Sequence, residues 1–383
     1  MKVCMITSLH SPKDDRIFFK EATSLKERGV QVHILCFGNE LGEIKDMAGK
    51  ILNQDSNESI KINDIVIHYV AQNSGIIQKL LHKIGKGSSW RSYVKKATDI
   101  NADVYHAHEP QTAYIGLKIQ KNTGAKLIYD AHEPWIFSRS IKEWLLKKIC
   151  LPRLNNIITA NKITEQSFLK NNPNLNTTVI YNCSPNFFND YKTENLEPII
   201  CHEGALWFNR GLRLIIKSLI ILKQSCPNFK FRIIGDVYGK EKKFLNDNIR
   251  LHNLEKNIEI TGWLAYEDVP KKIADCGIGI ITNTDEKRNT MAGPPNKLFN
   301  YITMGLAVIS TDLLATSKII EEINCGIILE KRDENILAYE LQNLIKDSRK
   351  RKEYQINSRD WALKKYNWDI EADKLFNFYI GLK

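Results

Sequence analysis

A chain of 383 residues exceeds one ordinary domain and suits two of roughly 150 to 200 residues each. With 43% hydrophobic and 26% charged residues, and no apolar run of about 18 residues, the composition excludes a membrane-spanning or disordered chain. The net charge of +11 calls for an acidic partner: nucleic acid, anionic lipid or phosphorylated substrate.

The opening MKVCMITSLH reads as a short strand and not a secretory signal. Strand and helix patterns then alternate almost to the end, the signature of parallel α/β sheets. In the first half strands are expected at Lys2–Ile6, Gln31–Phe37, Ile65–Val70, Asp103–His106, Lys126–Tyr129, Asn156–Thr159 and Thr178–Tyr181. Ile17, Phe18, Ala22 and Leu25 form one face of a helix that stops at Gly29, and Pro110 opens another running to about Asn122. The polar stretch from Tyr181 to Pro198 breaks the alternation and reads as an interdomain linker. A second series follows at Ile199–Glu203, Lys230–Ile234, Ile258–Thr261, Gly277–Ile281, Leu306–Ser310 and Gly326–Leu329, before an all-helical tail from about Asp347. The expected domains are 1–185 and 197–366. The eight cysteines show no CxxC pair and no histidine at zinc spacing, so they read as buried thiols of a reducing cytoplasm.

In such sheets ligands sit beyond the carboxyl ends of the strands. Lys287 to Asp312 is the most informative segment there. Ala292-Gly293-Pro294-Pro295 cannot be helical, and Asn296 reads as the N-cap of a helix that begins at Lys297 and ends before Gly305. A helix N-terminus already carries partial positive charge, so its first turn favours an acid. Here it holds Lys297 and no acid, which points to a bound anion, most plausibly a phosphate. In the segment 203–216, Arg210 stands before a helix start, bracketed by Gly204 and Gly211, and adds a second cation suited to a diphosphate.

Two further groups lie in the first half. DVYHAHEP at 103–110 and LIYDAHEPW at 127–135 bring His106, His108, Asp130, His132 and Glu133 to neighbouring strand ends. One reading is a metal site; another has His132 exchanging a proton or hydrogen bond with a substrate hydroxyl; a third leaves some of the histidines structural. SPKDDRIFFKEA at 11–22 has no glycine, which excludes a dinucleotide-binding GxGxxG turn. Asp15 is placed to cap the following helix, and Arg16 either meets a substrate or pairs with Glu21. Residues 75–99 and 138–149 interleave apolar and basic side chains, including Trp90 and Trp144, as a segment lying on anionic lipid would. Against nucleic acid, no RNP, KH or helix-turn-helix pattern appears.

The words DDRIFFKEA, DVYHAHEP, KLIYDAHEPW, VIYNCSPNFF, GALWFNRGL, ITGWLAYEDVP and PNKLFNYITMGLAVISTD, in this order and spacing, resemble the retaining GT-B glycosyltransferases of family 4 over nearly the whole chain. The resemblance implies an α/β chain of GT-B architecture, with two Rossmann-like doubly wound domains facing a central cleft and a helical C-terminal tail whose last helix, about 367–383, crosses back to the first domain. It implies that Arg210 and Lys297 hold a donor diphosphate, with Asn296, Asn300 and Gly293 on the same side. The Gly262-Trp263 turn would read the base, and His132 would reach the donor sugar. Asp15, Arg16, His108 and Glu133 fall on the acceptor side.

The sequence departs from the family pattern where an arginine of the first turn falls at Ala205 and a glutamate pair falls at Ala292 and Asn300; Asp285 or Glu286 is a candidate stand-in for the first glutamate. The implied activity moves a sugar from a UDP- or GDP-sugar to a glycan or polyprenyl-linked acceptor for bacterial surface polysaccharide, with no metal or other cofactor, at the inner face of the cell membrane. A non-catalytic GT-B subunit and a sugar-nucleotide epimerase are the other readings.

Overall fold

The computed structural model describes residues 1–47, 49–53, 59–73, 85–132, 140–190, 197–284 and 293–382. They form two compact units, Met1–Tyr181 with Ile370–Lys383, and Asn182–Asp369.

The first unit is built on β1 (Lys2–Ile6), β2 (Gln31–Gly38), β3 (Ser59–Ile62), β4 (Ile65–Ala71), β5 (Val104–Ala107), β6 (Lys126–Ala131), β7 (Asn156–Thr159) and β8 (Asn176–Val179). Their order across the sheet is β3-β4-β2-β1-β5-β6-β7-β8, with β3 antiparallel on the edge and the other pairings parallel. Strand β3 was not anticipated. Its SIKI sequence is only partly buried, so it lacks the apolar run that marks the others. Fully buried strands such as Val3 to Ile6 are apolar throughout, as a sheet covered on both faces requires.

The second unit carries β9 (Ile200–Glu203), β10 (Phe231–Ile234), β11 (Ile258–Ile260), β12 (Ile278–Ile281), β13 (Ala307–Thr311) and β14 (Gly326–Leu329). The order β11-β10-β9-β12-β13-β14 is parallel throughout and has the 3-2-1-4-5-6 sequence of a dinucleotide-binding sheet. The chain therefore reverses direction across the sheet between β9 and β12, and in the first unit between β1 and β5. Those two switch points are where a doubly wound sheet opens a crevice.

Helices Ser348–Lys364 and Trp368–Ile380 close the chain. In the first unit the last helix is tied by Tyr379, whose hydroxyl lies 2.7 Å from His106 Nδ1, and by Glu371, which accepts the Tyr181 N–H at 2.9 Å. No disulfide forms, and burial pushes the Cys36, Cys150 and Cys325 thiols up to about 12, which leaves them inert. Among the described residues no helix is long and apolar enough to cross a membrane. Trp90 is not on a lipid-facing surface: it is buried and packs edge-on to Phe37 at 4.9 Å. Residues 74–84, the centre of the first amphipathic segment, lie outside the described residues.

Candidate active site

At the switch point of the first unit the turn after β1 is closed by a side chain of the protein itself. Glu109 is fully buried, and its carboxylate accepts the Thr7 hydroxyl at 2.5 Å and the N–H groups of Ser8 and Leu9 at 3.1 and 3.0 Å. It also accepts from Thr112 Oγ1 at 2.9 Å, which caps the helix Pro110–Thr123. A carboxylate thus occupies the place where backbone N–H groups would otherwise meet a ligand anion.

Behind it lies a closed charge network. Arg16 forks onto Asp130 at 2.8 and 3.2 Å, its Nε is 2.9 Å from Glu21, and it donates to the Ile180 carbonyl at 3.3 Å. Burial opposes the Asp130 charge, but Arg16 and then His132 hold that carboxyl well below the usual range. Burial pushes Glu21 the other way, well up. Glu21, His106, His108 and Asp130 offer ligand atoms within 4.8 Å of one another, as a metal site would. The cation already among them is the Arg16 guanidinium. Burial, then His108, lowers the His106 pKa, and burial lowers that of His108, so both rings are neutral.

His132 stands at the half-buried edge of this network. Its Nδ1 lies 3.1 Å from Asp130 Oδ2, and its Nε2 lies 3.4 Å from His10 Nε2. Asp130 therefore holds the ring with Nδ1–H inward and leaves Nε2 to exchange a proton or accept a hydrogen bond. His10 is in turn 3.0 Å from Asp14. The N-cap position of the helix is Arg16, and just before it Asp14 Oδ1 accepts the N–H groups of Arg16 and Ile17 at 2.9 and 3.1 Å. Asp15 is half-buried and burial raises its pKa. Of the residues expected on the acceptor side, Arg16 and His108 are buried, Arg16 against Asp130 and Glu21 and His108 with its Nδ1 3.6 Å from Asp130 Oδ2. Glu133 lies outside the described residues.

The second unit presents the opposite arrangement at its switch point. The turn from Gly204 to Gly211 ends with Gly211 at φ +88°, where a Cβ would meet the Thr282 carbonyl at 2.3 Å, so only glycine lets the turn press against the end of β12. Thr282 Oγ1 donates to the Arg210 carbonyl at 2.9 Å and fixes that backbone. The Arg210 side chain is exposed and donates to the Ala205 carbonyl at 3.1 Å. The helix Leu212–Ser225 then starts without a side-chain cap and without an acid in its first turn.

The helix Asn296–Thr303 also has no side-chain cap and no acid in its first turn. Its cap is Pro295, one residue earlier than expected, and Asn296 is its first residue; the Asn296 Oδ1 accepts from Asn182 Nδ2 at 2.6 Å instead of capping. Lys297 is 7% exposed, and its Nζ lies 3.1 Å from His202 Nε2. Burial, and then Arg210, lower the Lys297 pKa to about 7, with Glu203 pulling the other way. Burial, then Lys297 and Arg210, hold His202 well below its usual pKa, so its ring is the neutral acceptor. Among the described residues neither Arg210 nor Lys297 pairs with a carboxylate.

Asn300, expected at a ribose hydroxyl, is fully buried with both ends of its amide engaged inside the unit. It accepts from Ser184 Oγ at 2.6 Å and donates to Glu203 Oε1 at 2.8 Å. Gly262 has φ +73° and its carbonyl accepts from Thr261 Oγ1 at 2.9 Å, while Trp263 is 43% exposed beside it. Gly293 is partly buried; Ala292, Asp285 and Glu286 lie outside the described residues. Sequence reading missed Glu109, His10, His202 and Glu203. A His-Glu pair ending the first strand of the second sheet was the available signal for the last two.

Two family descriptions match the chain in tandem, Glycosyltransferase Family 4 over residues 16–183 and Glycosyl transferases group 1 over residues 197–347. The uncharacterized glycosyltransferase MJ1178 of Methanocaldococcus jannaschii is 23% identical over 350 residues, 89% of this chain and 91% of that protein. The putative colanic acid biosynthesis glycosyltransferase WcaL of Escherichia coli is 23% identical over 39% of each chain, and the amylovoran biosynthesis glycosyltransferase AmsK of Erwinia amylovora 27% identical over 34% of this chain and 31% of its own. Among solved structures, Anabaena HepE in complex with UDP superposes with a TM-score of 0.75 over all of both chains at 17% identity. WaaG, a glycosyltransferase of lipopolysaccharide biosynthesis, superposes with a TM-score of 0.66 over 99% of both at 14% identity. Together with the two doubly wound sheets, these matches show that the chain belongs to the GT-B glycosyltransferases, of the family 4 and group 1 kind.

Proposed function

We propose that the chain is a retaining glycosyltransferase that moves a sugar from a UDP- or GDP-sugar to a carbohydrate acceptor, carried on a lipid, in the synthesis of a surface polysaccharide. The observation that carries this reading is the pair Arg210 and Lys297: two cations at the switch point of the second sheet, beside two uncapped helix starts, without a carboxylate partner among the described residues. Such a site favours a diphosphate. The bond from the sugar to the diphosphate breaks as the acceptor oxygen attacks on the same face, and the acceptor proton passes to the departing phosphate. Arg210, Lys297 and the helix N–H groups take up the charge that develops, so the reaction needs no metal. His132, oriented by Asp130, meets the transferred sugar and steadies its developing charge.

The names of WcaL and AmsK support a polysaccharide product, and HepE with UDP-glucose supports a UDP-sugar donor. Contact with an anionic membrane is supported by Ile141 and Trp144, 53% and 54% exposed, among Lys142, Lys147 and Lys148. Anionic liposomes at low salt should retain the protein; retention unchanged by neutral lipid would remove that part.

Arg210→Ala and Lys297→Ala, each assayed with a donor found from a panel of UDP-, GDP-, ADP- and dTDP-sugars, test the main reading. Each should lower kcat/KM by about 10²-fold or more. Unchanged turnover in both would eliminate the diphosphate site.

A further inference from the structure

We propose that a cavity between the turn from Gly204 to Gly211 and the start of the helix Gly239–Leu251 holds a pyranose unit of a glycan chain, apart from the donor. That this glycan takes part in the transfer rests on the reading above; the cavity itself does not. The helix follows β10, and in the order β10-β9-β12 it therefore lies on the far side of β9 from the switch point. The cavity has a volume of about 450 Å³ and is lined by Trp207, Phe208, Asn209, Arg210, Lys240 and Glu241. That is the size of a small-molecule site.

Packing fixes its walls. The Leu206 N–H donates to the Asp236 carbonyl at 3.2 Å, and at Gly235 a Cβ would meet the Gly204 backbone at 2.8 Å, so the turns after β9 and β10 press together. Phe208 meets Phe244 edge-on with ring centroids 5.5 Å apart, and the Arg213 guanidinium lies over the Phe208 ring at 4.0 Å. Trp207 stacks on Tyr238 with centroids 5.5 Å apart and planes 28° from parallel, and Tyr238 is exposed. The rim thus presents an ordered aromatic surface to solvent. Glu241 is the group that points to a ligand. It is 8% exposed and lines the cavity, yet among the described residues its carboxylate has neither a hydrogen bond nor an ion pair. An acid suits the first turn of a helix, but a buried carboxylate without hydrogen bonds is costly. A ligand seated here would donate to it. Phosphate is repelled by Glu241, and an ammonium by Lys240 and Arg210. A neutral ligand with hydroxyl donors on its edge and an apolar face fits, and a pyranose has both. Its C–H face covers the Tyr238 and Trp207 rings, while its hydroxyls donate to Glu241 and accept from Lys240 and the Asn209 amide.

Saturation-transfer NMR on the full chain without nucleotide tests this with tetrasaccharides of glucose, galactose, mannose, N-acetylglucosamine and rhamnose, and with uridine and guanosine. At least one tetrasaccharide should bind. Tyr238→Ala and Glu241→Gln should each weaken it about tenfold. Tyr238→Phe, which keeps the ring, should retain it, and all three variants should hold the best-bound nucleotide-sugar as tightly as the unmodified protein. Tyr238 lies at the surface and Gln keeps the shape of Glu, so these changes leave the fold in place. Binding of no tetrasaccharide, or binding that Tyr238→Ala and Glu241→Gln both keep, would overturn the assignment and leave the donor reading standing. A nucleoside in place of a sugar, or an equal loss of the nucleotide-sugar in the variants, would overturn it too, because the cavity would then belong to the donor. A tetrasaccharide that responds to the variants, in a protein that binds no nucleotide-sugar, would instead remove the donor reading and leave the glycan cavity.

Discussion

In the first unit the turn after β1 closes on Glu109, and the cation behind it, Arg16, is consumed by Asp130 and Glu21. In the second unit the turn after β9 leaves Arg210 exposed, and Lys297 is buried against a neutral histidine. Both units have a doubly wound sheet and a switch point with a cation nearby. What differs is whether the protein supplies the counter-charge. Where it does, the cation is part of the fold; where it does not, the proposed anion site lies, and it holds a lysine whose pKa is pulled down to about 7. A cation in a sequence therefore says little about binding until its carboxylates are counted.

The largest effect follows from the filled side. Arg16→Met should cost about 3–5 kcal/mol in denaturant unfolding, because it strands the buried Asp130 charge. Lys297→Met should leave stability unchanged or raise it, since it removes a cation that burial disfavours. Equal losses in the two variants would erase the contrast. Next, Glu109→Gln keeps the shape but weakens the hydrogen bonds from Thr7, Ser8 and Leu9, and should cost about 1–3 kcal/mol in the same measurement. A smaller test concerns His132: His132→Ala should lower kcat by about 10²-fold or more and leave donor KM nearly unchanged, whereas a loss in KM alone would make it a binding residue.

The parallel strands were legible to within a residue or two, because buried strands of such sheets are short apolar runs between turn residues. The edge strand Ser59–Ile62 was not, being half-buried and polar in alternation. Lys297 was legible because the rule it breaks is local to one helix turn. The surroundings of Asn300 were not legible, because its partner Glu203 lies 97 residues away and no local pattern announces that hydrogen bond. Glu109 was hidden for a similar reason: before Pro110 it reads as the entrance to a helix, while its carboxylate serves a turn about a hundred residues earlier. The N-cap at Arg16, one residue after Asp15, is a shift of the kind that helix ends invite.

The sign of the pH dependence follows from Lys297. Its folded pKa lies near 7, below the ordinary lysine value, so the free protein loses this charge as pH rises through 7. A bound diphosphate favours the charged form and raises that pKa, so donor affinity should fall by up to about tenfold per pH unit above 7. Proton uptake reads this directly. Titrating the best-bound nucleotide-sugar at pH 7 in two buffers of different ionisation enthalpy should show net proton uptake on donor binding, since burial and Arg210 keep Lys297 partly uncharged beforehand. Lys297→Met should abolish it. Tight binding without uptake, or uptake that survives Lys297→Met, would contradict the claim that this uncompensated lysine holds the diphosphate.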